Sequence, residues 1–239
     1  MTSAASDFSK LMLTCLLALS SVHCQTVRAV TVFDWRQRGV IAPVSNQGLI
    51  GDSVAFVVAE GVESLHAIEH GDNLTVLSRQ EVADCCDEDM HPKYQGFKCI
   101  SILGGLCTAA AYRPSGGHCQ NKTCPAVGKV TGTGYVEPNR EDLMVQEIHR
   151  TPLAALLDAS QDSFETYTGG IYSDANCSSS LLDHIVQIVG YGTTSDGQDY
   201  WILKNSWGIS WGEHGYMRIV RGKNMCGISS DVFYPINNK

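Results

Sequence analysis

The stretch Asn46-Gln47-Gly48-Leu49-Ile50-Gly51-Asp52-Ser53-Val54-Ala55-Phe56 governs the reading of this chain. Two glycines and a polar pair lead directly into an apolar run, the pattern of a loop that turns tightly into a helix. Ser53 falls at the helix start, where unpaired backbone N–H groups and the positive end of the helix dipole favour a developing negative charge. Taken alone, Asp52 or Ser53 reads first as an ordinary N-cap, the commonest role of these residue types. Beyond it, Val54, Phe56, Val57, Val58, Val62, Leu65, Ala67 and Ile68 recur at spacings of three and four. That rhythm predicts a buried amphipathic helix over 54–70, closed by Gly71.

With 239 residues the chain has ample material for one large domain or two small lobes. Its net charge of −8 leaves no basic footprint, which excludes nucleic acid and an anionic membrane as partners. Lys10 followed by the apolar run Leu11 to Leu19 reads as a secretory signal peptide over 1–24, cleaved near Cys24–Gln25, and is too short to stay in a bilayer. Of ten cysteines, Cys15 and Cys24 leave with that segment, and the others suit disulfides in an oxidising compartment. The expected destination is the extracellular space, with a lysosome-like organelle as the alternative. Asn73, Asn121 and Asn176 open N-glycosylation sequons that fit the same route. Phe33-Asp34-Trp35-Arg36 then begins the ordered part, leaving no room for a prosegment, so residues 25–239 are expected to form the mature domain.

Ser78 and Glu81 have capping-box spacing at the head of a second helix that runs into Asp84-Cys85-Cys86. From Asp87 to Cys124, paired glycines and cysteines read as stapled loops with one short helix, Leu106 to Tyr112. The cysteine spacings match no C-x₂-C pair, so neither a metal nor any other cofactor is expected. After Val127 the pattern turns to strands: Val130–Val136, Leu153–Leu157, Ile185–Val189 closed by Gly190-Tyr191-Gly192, Tyr200–Lys204 and Tyr216–Val220, with a helix at Glu141–His149. The expectation is an α+β fold of two lobes, helical first and antiparallel β-barrel-like second, with a cleft between them.

His184 heads one of those strands and Asn205 follows another. A nucleophile position at a helix start, a histidine far downstream and an asparagine after an aromatic strand give the chain order of a thiol protease. The motifs carry this further. N-Q-G-x-x-G-x-[nucleophile]-x-A-F, then L-D-H-x-V-x-x-V-G-Y-G, then Y-W-I-L-K-N-S-W-G-x-x-W-G-E-x-G-Y and C-G-I closely resemble the papain family of cysteine proteases, and the second half is most similar to cathepsin L. The resemblance runs from Phe33 to Pro235. It implies Gln47 as side-chain oxyanion donor, the backbone N–H of position 53 as its partner, His184 as general base, and Asn205 under Trp207 as its orienting group. It also implies Gly104 and Gly105 as the edge that hydrogen-bonds extended peptide. Leu106, Leu156, Ile185 and Asp231 then fall where the family builds its second specificity pocket, with Asp231 suited to a basic side chain. The implied disulfides are Cys85–Cys119 and Cys177–Cys226.

The chain departs from that pattern at the nucleophile, where Ser53 stands in place of cysteine, followed by Val54 rather than tryptophan. A thiol beside histidine at a helix N-terminus can drop to a pKa of about 3 to 4 and wait as a thiolate, whereas a serine hydroxyl must lose its proton during attack. The shorter C–O bond also retracts the attacking atom. Asp52, if ionised, opposes oxyanion charge. Ile50 stands where the family has a half-cystine, which leaves Cys99 to pair elsewhere, with Cys86 or Cys107. Between Tyr112 and Pro114 the chain skips a helix end and loop that relatives carry. The leading expectation is a secreted, monomeric papain-fold homologue with little or no peptidase activity whose cleft takes a peptide or protein ligand. The rivals are a Ser-His-Asn hydrolase or silicatein-like protein using Ser53, residual proteolysis of the family's kind, and a product too decayed to fold.

Overall fold

A computed structural model describes residues 32–48, 53–71, 74–86, 96–114 and 116–238. The signal segment, Ile50, Asp52 and the sequon at Asn73 lie outside the described residues. Helix α1 spans Ser53–Glu69, as the apolar spacing predicts, and buries Val57, Val58, Val62 and Leu65. Gly61 lies mid-helix because the Phe97 ring occupies its side-chain space: a Cβ there would come within 2.7 Å of the ring. Helix α2 (Arg79–Cys85) opens on the expected cap, the Ser78 Oγ accepting the Glu81 N–H at 3.0 Å.

The next segment departs from expectation. Helix α3 (Gly96–Leu103) forms inside the region read as loops, burying Phe97 and Ile100 completely. The Gly104 and Gly105 N–H groups close it by returning to the Ser101 and Ile100 carbonyls at 3.3 and 3.0 Å, an end that positive φ permits. No helix covers 106–112. Leu106 bridges Gly128, Thr108 bridges Leu77, and the Cys107 N–H donates to the Glu81 carboxylate at 2.7 Å, so the backbone groups a helix would use are already engaged.

Eight strands form one sheet: β1 (Val32–Asp34), β2 (Gly132–Val136), β3 (Leu153–Leu157), β4 (Ile171–Tyr172), β5 (His184–Thr193), β6 (Asp199–Lys204), β7 (Tyr216–Val220) and β8 (Val232–Ile236). Their order is β2-β8-β3-β5-β6-β7-β4, with β1 lying on β5. Every pairing is antiparallel except β4 with β7. Strand β5 does not end at Gly190-Tyr191-Gly192. It continues because Gly190 lets β1 approach: a Cβ there would meet the Phe33 carbonyl oxygen at 2.3 Å. Two short helices, α4 (Glu141–Glu147) and α5 (Asp162–Glu165), complete the second lobe.

The fold is therefore α+β, with a large apolar core under the sheet around Phe164, Trp201 and Met217 and a second one between α1 and the sheet around Val58, Phe97 and Ile185. Burial of this kind is worth roughly 25 cal/mol per Å² of apolar surface and is the main term holding both lobes. Disulfides join Cys85 to Cys119, Cys177 to Cys226, Cys86 to Cys99 and Cys107 to Cys124. Cys99 thus takes Cys86. Among the described residues no helix is long and apolar enough to cross a membrane, and no group of three or more metal-type side chains gathers.

Candidate active site

The sheet register builds one half of the site. Strand β5 begins at His184 and β6 ends at Lys204, and the two run antiparallel with Gln187 opposite Lys204, which brings Asn205 back beside His184. The His184 Nε2 lies 2.8 Å from the Asn205 Oδ1. An amide oxygen only accepts, so Nε2 carries the proton and Nδ1 carries the lone pair, as a general base requires. The Asn205 Oδ1 also accepts the Ser206 N–H at 2.8 Å, which fixes the side chain. Both residues are buried, and the Trp207 indole packs on the imidazole with ring centroids 4.9 Å apart, itself buttressed by Phe164 and Trp211. Water is kept from the His184–Asn205 bond.

The chain entering α1 is tied to the same place. Asn46 bridges Trp207, the Gln47 N–H donates to the Ser206 carbonyl at 2.8 Å, and the Gly208 N–H donates to the Ser45 carbonyl at 3.0 Å. The Ser206 hydroxyl donates to the Gln47 Oε1 at 2.5 Å, turning the amide so that its NH₂ is the end directed away from Ser206. Ser206 was not singled out in the sequence, although it sits inside the N-S-W motif. Ser53 is the first residue of α1 and half-buried. Its neighbour Val54 packs on the large apolar cluster that also contains Ile185, the residue after His184.

Gly104 and Gly105 follow α3 with φ of 84° and 121°. A Cβ on Gly105 would meet the Gly128 carbonyl at 2.6 Å, while a Cβ on Gly104 would meet nothing within 4 Å, so Gly104 borders open space although its N–H is already bonded to the Ser101 carbonyl. Leu106, Leu156 and Ile185 share one cluster, and Leu156 pairs Ile185 across β3 and β5. Asp231, half-buried, precedes β8, and its carbonyl accepts the Leu156 N–H at 3.0 Å. Of the sequons within the described residues, Asn176 is exposed and Asn121 half-buried.

Behind the site lies a cluster that periodicity alone did not mark. The Lys204 ammonium, whose side chain has 0% exposure, meets the Glu60 carboxylate at 2.6 Å, and Arg79 reaches the same oxygen at 3.2 Å and Glu63 at 3.9 Å. Glu63 also accepts the Leu77 N–H at 2.8 Å. Burial pushes its carboxyl up to about 7, against the pull of Arg79 and Lys204. The available signal was two glutamates on the apolar face of α1 and a lysine ending an otherwise apolar strand.

The described residues thus hold an imidazole oriented by an amide, a glutamine tied to the serine that follows that amide, and a serine at the head of α1. Comparison with known proteins gives the family. The model of the papain family cysteine proteases matches residues 29–236, and the chain belongs to that family. It is 39% identical over 214 residues to cathepsin J of Mus musculus, covering 84% of this chain and 64% of that protein. It is 34% identical over 223 residues to a cathepsin L-like peptidase of Aedes aegypti, covering 88% and 65%. The chain thus spans just under two thirds of the length of these relatives. Among solved structures, bromelain of Ananas comosus in complex with the E64 inhibitor superposes with a TM-score of 0.78 at 34% identity, covering 87% of this chain and 99% of that one. Digestive procathepsin L2 of Tenebrio molitor gives a TM-score of 0.78 at 33% identity, covering 88% and 69%.

Proposed function

We propose that this chain is a secreted papain-fold protein that holds a peptide or protein segment in its cleft and has little or no peptidase activity. The observation that carries this reading is a His184 imidazole held by Asn205 in a family member whose sequence has oxygen, Ser53, where the motif has its nucleophile. In support of it, Ser53 heads α1, Asn205 holds the His184 imidazole and Ser206 holds the Gln47 amide. A neutral hydroxyl does not form the resting ion pair with imidazole that a thiol does, and its attacking atom is set back from a geometry shaped for sulfur. The open space beside Gly104 leaves room for a ligand next to that turn. Four disulfides support passage through an oxidising compartment, and the exposed Asn176 is the best placed of the sequons for a glycan. The chain acts as a monomer without metal or cofactor, apart from nucleic acid and membranes.

A second reading, hydrolysis by Ser53 with His184 and Asn205, is favoured by one observation: the tautomer that Asn205 imposes leaves the imidazole atom a serine would need as base. Fluorogenic peptides offered to the purified protein and to Ser53→Cys separate the two. The proposal expects no turnover above blank from the unaltered chain, with at most weak proteolysis from the thiol variant. Turnover by the unaltered chain that is lost in His184→Ala establishes the second reading.

A further inference from the structure

The C-terminal end of α1 and the residue after it carry two histidines, His66 and His70, at the spacing of four that sets side chains on one helix face. Their ring centroids are 4.2 Å apart, with the planes tilted by 30°. His66 is half-buried and His70 exposed, so the pair opens on solvent. The backbone fixes one of the rings. The His70 Nδ1 lies 2.8 Å from the His66 carbonyl oxygen, which also accepts the His70 backbone N–H at 3.1 Å. A carbonyl only accepts, so Nδ1 carries the proton and the His70 Nε2 keeps its lone pair. That is the state of a metal-ligating imidazole, whose second nitrogen donates to a backbone carbonyl and so holds tautomer and ring orientation.

Electrostatics at this end of the helix favour a cation. The last carbonyls of α1 form the negative end of its dipole, and Gly71, with φ of 81°, ends the helix directly after His70. Glu69 adds a carboxylate that acts on His66, and the Asn237 Nδ2–H holds its Oε2 at 2.8 Å. Two protonated rings this close repel each other. Burial, and then the charge of His70, pull the His66 imidazole below its ordinary pKa against the opposing effect of Glu69, which leaves it a neutral ligand at pH 7.

We infer that His66 and His70 chelate one divalent late transition-metal ion, copper(II) most tightly, through one nitrogen of each ring, with water completing the shell. Nitrogens about 2.0 Å from a shared ion stand about 3 Å apart, and rings with centres 4.2 Å apart reach that by turning about χ2. The expectation of no metal came from the cysteines, whereas these ligands are histidines. The pair lies about 20 Å along α1 from Ser53, so the cleft holds its ligand without the ion and the two sites work apart.

Copper(II) chloride titrated into the full, disulfide-bonded chain at pH 7.5 tests this by calorimetry and by thermal unfolding. One equivalent binds more tightly than any further ions, and Tm rises by roughly 5 °C at a hundredfold excess over Kd. His66→Ala and His70→Ala each weaken that first equivalent at least tenfold, whereas His149→Ala and His214→Ala leave it unchanged. Electron paramagnetic resonance of the one-to-one complex shows two imidazole nitrogens on the copper(II). Binding of the first equivalent that survives loss of both His66 and His70, that needs only one of them, or that is absent from the unaltered chain overturns the inference. Should the half-buried His66→Ala variant fail to fold, the exposed His70→Ala variant and the nitrogen count in the unaltered chain still decide it.

Discussion

The two sides of the cleft are held by different physics. The β side carries His184 at the start of β5 and Asn205 just past the end of β6, neighbouring strands whose register is set by backbone pairing and by a core of Trp201, Phe164 and Met217, with one disulfide at its margin. The opposite wall, from Leu74 to Val130, contains among its described residues two short helices and isolated bridges, and it is stitched by three disulfides. Between them runs the seam where Lys204 of β6 meets Glu60 of α1. The difference teaches where precision comes from. The His184–Asn205 geometry stands on strand register, whereas the Leu74–Val130 region depends on covalent staples.

The largest expected effect comes from breaking the seam. Glu60→Ala strands the fully buried Lys204 ammonium without its 2.6 Å partner, and loss of one partner of a buried pair costs about 3–5 kcal/mol. Urea unfolding measures it. Replacing Glu60 and Lys204 together by apolar residues of similar volume should recover most of that loss.

Next come the staples. Removing Cys177–Cys226, which spans 49 residues, should cost more than removing Cys86–Cys99, which spans 13. Chain-entropy arithmetic gives about 4 against about 3 kcal/mol. Hydrogen exchange should place the second loss in the wall alone, with β5 and β6 protection unchanged. Loss of protection in the strands would show that the two sides are one cooperative unit.

The seam also makes a pH prediction. Burial raises the Glu63 carboxyl from 4.5 to about 7, Glu60 adds to the rise, and Arg79, Lys204 and the Leu77 N–H oppose it. A native state that holds its proton more tightly than the unfolded chain is stabilised below the unfolded value and loses that contribution as pH climbs. Stability should therefore fall between about pH 5 and pH 8. Glu63→Gln should flatten that part of the curve. The smallest effect is at the wall's cap: Ser78→Ala loses the bond to the Glu81 N–H and about 1 kcal/mol.

The same contrast explains what the sequence disclosed. Strands β3, β5, β6 and β7 were legible because buried strands write continuous apolar runs, and α1 because its apolar face repeats at three and four. The ends of these elements were less so: Gly190 looked like a terminator and proved to be the point where β1 closes on β5. In the wall, helix α3 was hidden because its stability comes from Phe97 packing against Gly61 and Phe233, which are distant in sequence. The spurious helix at 106–112 had helix-compatible residues whose backbone was already engaged with Leu77, Glu81 and Gly128. His184, Asn205 and Gln47 were legible as motif letters, but the Ser206 hydrogen bond that orients Gln47, and the buried Glu60–Lys204 pair, are products of the fold.

The most direct measurement is intact-protein mass spectrometry after exposure to a fluorophosphonate, with His184→Ala as control. An unactivated Ser53 takes up no phosphonyl group and gives one unshifted mass in both proteins. A stoichiometric adduct on Ser53 in the unaltered chain, absent from the His184→Ala variant, would contradict the account, because it would mean that His184 activates the oxygen after all.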